Sequence, residues 1–207
     1  MNNKSPINTF HVIGKTALKR WPCENQRTAW RIFCKSINEL QKEHQLKTRA
    51  FVLMGNHYHW LCQNNDVENP PVFKLLHERI NFHFHYEADS RNHVFGPTPQ
   101  VVVISSKASY TNTYKYIYQN PLTAGLAFKA EDYPYSTLGT VLGRAKTSFQ
   151  IEDNMNLITD PHRVVHWINA PWGEQLYLKY YSEGPQPLAD YFVNLKLDII
   201  SNYDTIV

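Results

Sequence analysis

A chain of 207 residues, 43% hydrophobic and 14% aromatic, carries enough apolar material for one globular domain with an appendage, or for two small domains. Its net charge of +3 and pI of about 8.7 permit an anionic partner without demanding one. Three widely spaced cysteines (Cys23, Cys34, Cys62) contain no Cys-x-x-Cys pair, which excludes a zinc ribbon and argues against a disulfide framework.

Residues 1–9 are polar and show no signal-peptide core, and no run approaches the ~18 apolar residues of a membrane helix. A soluble, cytoplasmic protein without a membrane partner is therefore expected. Residues 9–16 mix β-branched and aromatic side chains and predict a first strand. Over 24–45 the period changes. Trp30, Phe33, Cys34, Ile37 and Leu40 recur at three- and four-residue spacing, opposite Arg27, Arg31, Lys35 and Glu39, which predicts an amphipathic helix. Two strands follow, over 49–54 and 58–63, and Gly55-Asn56 between them is a two-residue hairpin signal. A polar loop ends at Pro70-Pro71, where proline suits the start of a helix, predicted over 72–88. The apolar run 101–104 reads as a buried strand. Ser105 or Ser106 caps a third helix that Pro121 stops after Asn120.

The order β-α-β-β-α-β plus an extra helix predicts an α+β, ferredoxin-like sandwich with an antiparallel sheet. Residues 1–145 are assigned to this domain, with 122–145 as a loop-rich wrap. Residues 146–207 are assigned to a helical appendage, with helical signals over 161–168 and 172–181.

Two clusters carry chemistry. In Asn56-His57-Tyr58-His59-Trp60, strand geometry turns His57 and His59 to the same face. On spacing alone two readings stand: a pair of metal ligands, or two half-buried histidines with ordinary hydrogen bonds. His83 and His85 share the spacing but lie in a predicted helix, where i and i+2 diverge by about 200°. They read as structural, as do His77 and His93. In Tyr116-Ile117-Tyr118-Gln119-Asn120, Tyr116 and Asn120 share a helical face, which can set a phenol beside an oxygen ligand. Tyr110, Tyr114 and Tyr118 form a separate stripe that reads as packing. Tyr118 is the rival nucleophile, but its i+4 neighbour is Leu122, which offers no ligand.

The stretch Leu53-Met54-Gly55-Asn56-His57-Tyr58-His59-Trp60, then Tyr116-Ile117-Tyr118-Gln119-Asn120-Pro121-Leu122-Thr123-Ala124-Gly125-Leu126, then Asp132-Tyr133-Pro134-Tyr135-Ser136, resembles the HUH single-tyrosine transposases, and among them the REP-associated tyrosine transposases. The resemblance spans roughly residues 9–140. It implies that His57, His59 and Asn120 hold Mg²⁺ or Mn²⁺ and that Tyr116 is the nucleophile. It also implies an enzyme that cuts single-stranded DNA near hairpins, stays joined to the 5′ end as a phosphotyrosine, and rejoins strands by the reverse attack. Lys107, Lys115, Tyr58 and Trp60 flank these motifs and are candidate DNA contacts, through phosphate charge and base stacking. They read equally as solvated lysines and core aromatics. Residues 96–100 carry no charge, so few phosphate contacts are expected there. Two further readings remain: a domesticated protein that binds hairpin DNA without cutting it, and a metal phosphoesterase in which Tyr116 only packs. The sequence leaves monomer and homodimer open.

Overall fold

A computed structural model describes residues 8–16, 18, 20–64, 71–90, 93–152 and 160–171. Four strands form one antiparallel sheet: β1 (Asn8–Lys15), β2 (Lys47–Leu53), β3 (His57–Asn64) and β4 (Gln100–Ile104), in the spatial order β2-β3-β1-β4. Helices α1 (Gln26–His44) and α2 (Val72–Ala88) are the two crossovers, and α3 (Lys107–Thr123) follows β4. The expected β-α-β-β-α-β order and extra helix are present.

Alternation within the strands sorts their side chains onto two faces. Phe10, Val12, Phe51, Leu53, Tyr58, Trp60 and Cys62 face α1 and α2, and form one core with Ile32, Phe33, Ile37, Leu40, Phe73, Leu76, Ile80 and Phe84. The intervening residues of β1 and β3, among them His11, His57 and His59, take the other face. There α3 packs against β2 and β3. The sheet is thus covered on both sides, and the face that carries the histidines is distinct from the main apolar core.

The local signals explain most boundaries. Asn25 caps α1, accepting from the Thr28 amide at 3.0 Å, and Gln45 ends it in a left-handed conformation (φ 52°). Ser106 caps α3 by accepting from the Ser109 amide at 3.0 Å. The Gly55-Asn56 hairpin forms, with the Met54 amide donating to the His57 carbonyl at 2.8 Å. Neither residue of the turn takes a left-handed conformation, so the glycine there does not serve a positive φ. Gly14 has a stricter role. A Cβ at this position would lie 2.2 Å from Cε1 of Tyr58, whose ring crosses β1 there.

Two expectations need correction. Among the described residues the 101–104 run is an edge strand that pairs only with β1, and Val103 is 60% exposed. A continuous apolar run cannot distinguish an edge from a centre. Helix α3 passes through Pro121 and ends at Thr123. A last-turn proline ends the helix later than an interior one would. The Ala124 amide still reaches the Asn120 carbonyl at 3.0 Å, and the Leu126 amide reaches that of Pro121 at 2.8 Å. The expected boundary after residue 145 falls inside one compact unit that runs through Asn169.

That unit is closed by the chain beyond α3. A 3-10 turn (Ala130–Asp132) and α4 (Leu138–Val141) lead past the outer edge of β2. The Leu53 amide donates to the Tyr135 carbonyl and the Thr137 amide to the Phe51 carbonyl, both at 2.9 Å. Further on, the Glu152 amide donates to the Thr48 carbonyl at 2.9 Å, and Phe149 is buried in the main core. Those bonds cover an otherwise open sheet edge. Helix α5 (Pro161–Asn169), expected over 161–168, packs on α3. The helical signal at 172–181 lies outside the described residues. Among the described residues no helix is long and apolar enough to cross a membrane, and Cys23, Cys34 and Cys62 are free thiols.

Candidate functional site

β3 is flanked by β2 and β1, so its side chains stand on the best-supported part of the sheet. His57 and His59 project from it to the same face, with ring centroids 5.2 Å apart and planes at 89°. Tyr58 between them points the opposite way into the core. Above this face, α3 brings Tyr116 over the histidines. Its ring lies edge-on to His59 at 5.3 Å and to His11 at 6.1 Å between centroids. Asn120, one turn on, donates from Nδ2 to the Tyr116 carbonyl at 2.9 Å, leaving Oδ1 as its acceptor atom. Tyr116 thus lies against His59, His57 shares the face of that histidine, and Asn120 follows Tyr116 on α3.

Both histidines have outer partners. His57 Nδ1 is 2.8 Å from Asn56 Oδ1, and His59 Nδ1 is 3.0 Å from Nε2 of His11. His11 was missed by sequence reasoning. Its only signal is a polar residue in an apolar strand, and the partner across the sheet is visible only once the register sets Ile13 opposite His59.

Burial governs the electrostatics here. It holds His57 down to about 4, with the Lys15 charge adding to the effect, and it holds His11 down to about 3. His59 lies well below the ordinary imidazole value because of burial, then the neighbouring His11 and His57. All three are neutral at pH 7, the form in which imidazole binds a metal. Burial raises the Tyr116 phenol above its usual value, and the Asn120 side chain pulls it back in part. The half-buried phenol is thus protonated at neutral pH in the free protein.

Neutral imidazoles and a carboxamide oxygen are donor types that a divalent transition-metal cation accepts. Among the described residues no three His, Cys, Asp or Glu side chains converge on one point.

The other candidates separate cleanly. Tyr118 is buried, and its hydroxyl lies 2.9 Å from Thr137 Oγ1. Tyr110 and Tyr114 are buried with it as the packing stripe. His83 sits between Glu39 and Glu87 at 3.2 and 3.3 Å, while His85 is exposed and 3.2 Å from the Ser90 carbonyl. These two diverge as helical spacing requires. His77 is buried between the Tyr58 hydroxyl (3.0 Å) and the Gly96 carbonyl (2.8 Å), and His93 is exposed.

The expected DNA contacts fare unevenly. Tyr58 and Trp60 are wholly buried on the α1–α2 side, and Trp60 Nε1 donates to Thr48 Oγ1 at 3.0 Å. Neither ring has a face to offer a base. Lys115 is 2% exposed, with Nζ 5.6 Å from the centre of the Trp167 ring, so it is covered by α5. Lys107 is exposed at the start of α3. Lys15 pairs in register with His57 and is exposed, a cation at the site that the sequence did not single out.

No protein-family model matches the chain, and no curated protein matches it. Among solved structures it is similar to a REP-associated tyrosine transposase bound to a REP hairpin. The TM-score is 0.57 at 15% identity, over 74% of this chain and 91% of that one. The fold is that of a REP-associated tyrosine transposase. In this tyrosine-transposase fold the antiparallel sheet carries the paired histidines and the helix after β4 carries Tyr116.

Proposed function

We propose that this protein is a metal-dependent, single-tyrosine transposase of the HUH type that cleaves and rejoins single-stranded DNA at hairpin-associated sites. The observation that carries this reading is Tyr116, from α3, lying edge-on to His59, which shares its face of β3 with His57, while Asn120 follows one helical turn on. His57, His59 and Asn120 would hold Mg²⁺ or Mn²⁺. Such an ion, when bound, neutralises charge on the phosphate oxygens and aligns the phosphoryl group.

The protein's own part is positioning and nucleophilic attack. Tyr116 Oη forms a bond to phosphorus as the bond to the 3′ oxygen breaks. The phenol proton leaves to solvent, and the departing 3′ oxygen takes up a proton. The 5′ side stays on the tyrosine as a phosphodiester, which conserves the bond for rejoining, so no energy cofactor is required. Lys15 and Lys107 are the exposed cations placed to meet phosphates.

A second reading, a non-cleaving hairpin binder, draws support from the burial of Lys115 and the uncharged 96–100 stretch. Both leave few cations for DNA. A covalent-adduct assay separates the readings. The protein is incubated with Mn²⁺ or Mg²⁺ and labelled single-stranded hairpins, then run under denaturing conditions. The expected result is a metal-dependent protein–DNA band that Tyr116→Phe abolishes and Tyr118→Phe retains. Free cleaved ends without a band would indicate a phosphoesterase. Retained binding with no cleavage would indicate the non-cleaving binder.

A further inference from the structure

We propose that His11 is a positioning residue that fixes the tautomer and the ring orientation of His59, turning His59 Nε2 toward the site. This deepens, and rests on, the metal-site reading above. His11 stands on β1, diagonally across from His59, and is fully buried, as His59 nearly is. Buried imidazoles are costly unless their nitrogens are bonded, and here His59 Nδ1 lies 3.0 Å from His11 Nε2.

The neighbouring histidine has its proton placed by its outer partner. His57 Nδ1 faces Asn56 Oδ1 at 2.8 Å, and a carboxamide oxygen can only accept. His57 must therefore carry its proton on Nδ1, which leaves the Nε2 lone pair for a ligand. His59 Nδ1 faces His11 Nε2 instead, a nitrogen that accepts in one tautomer and donates in the other. A proton on His59 Nδ1 gives two like-oriented imidazoles, each tied outward through Nδ1. A proton on His11 Nε2 instead would leave His59 protonated at Nε2 and unable to bind a metal. Outer partners of this kind commonly set ligand tautomers, and their loss weakens metal affinity by 10–100-fold. Nothing else on this face of β1 does the same for His59, since Ile13 opposite it is apolar.

The test uses the full chain, wild type and the variants His11→Leu and His11→Gln. A glutamine Oε1 can accept near the place of Nε2, whereas leucine cannot accept at all. The first readout needs no metal. Nitrogen-15 NMR of the imidazoles should show His59 as the Nδ1–H tautomer in the wild type and in His11→Gln, with a shift toward Nε2–H in His11→Leu. The second is Mn²⁺ affinity, from the electron paramagnetic resonance signal of the free ion. His11→Leu should bind roughly 10–100-fold more weakly, and His11→Gln within a few-fold of wild type.

A wild-type His59 in the Nε2–H form overturns the proposal, and this result stands even if His11→Leu does not fold. Unchanged Mn²⁺ affinity in a folded His11→Leu also overturns it. If wild type and His57→Ala alike bind no Mn²⁺, the metal reading fails by itself. The tautomer comparison then still decides whether His11 orients His59.

Discussion

Two residues apart on α3, Tyr116 and Tyr118 meet opposite surroundings. Tyr116 is half-buried over the histidines, whereas Tyr118 is sealed in and bonded to Thr137. Removing the Tyr118 hydroxyl should cost about 1 kcal/mol of stability, read from urea unfolding, and leave adduct formation intact. Removing that of Tyr116 should do the reverse. A Tyr118→Phe protein that lost the adduct while remaining folded would contradict the assignment.

The neutral histidines predict a pH dependence of the opposite sign to that of a salt-bridged histidine. His11 is held to about 3, and His57 and His77 to about 4, against an ordinary value near 6.5. Between those limits the unfolded chain binds more protons than the folded one, so stability rises with pH there. The urea midpoint of the metal-free protein should fall steadily from pH 7 to pH 4.5. A flat profile would show that these side chains are not buried neutral. At this scale the sequence was informative where element geometry puts two side chains on one face, as at His57/His59 and Tyr116/Asn120. It was silent on His11, whose partner lies 48 positions away, and misleading for Tyr58, Trp60 and Lys115. Their neighbours in sequence are site residues, but strand alternation and the packing of α5 turn them elsewhere.

The elements themselves were legible because their periods differ. The α1 stripe, the strand alternation in β2 and β3, and the Asn25 and Ser106 caps are all local signals. What stayed hidden depends on neighbours, as in the edge position of β4 and the continuation of α3 past Pro121. Gly14 illustrates the same limit. Its sequence context is an ordinary strand, yet the Tyr58 ring occupies the space that a side chain would need. Gly14→Ala should force Tyr58 and its bond to His77 to shift, at a cost of roughly 1–3 kcal/mol as an overpacked site. Gly55→Ala meets no atom within 4 Å and should be close to neutral. Equal unfolding midpoints for the two variants would refute the close approach.

At the scale of the whole molecule, the segment after α4 completes the fold and is no mere appendage. Arg49 is 2% exposed, and its Nη1 donates to the Glu152 carbonyl at 2.9 Å and lies 3.3 Å from the Glu152 carboxylate. The same guanidinium contacts Gln63. A chain ended at residue 145 would leave that charge buried without its carboxylate, and would strip Phe149 from the core and α5 from α3. The loss should be about 3 kcal/mol or more. Denaturant unfolding of the 1–145 chain beside the full chain tests this, and matching midpoints would show that the segment contributes nothing. Residues 146–152 carry no periodic signal in the sequence. Their role is to add backbone bonds along β2, which composition does not encode.

The alternation along β3 has an evolutionary consequence. Its even positions pack the core against α1 and α2, while its odd positions hold the histidines. Substitutions can be sorted by face and tolerated one at a time, but the gain or loss of a single codon within the strand would exchange the two faces at once. Lineages carrying this sheet should therefore drift freely in residue identity while keeping the length of β3, and of the two-residue turn before it, almost unchanged.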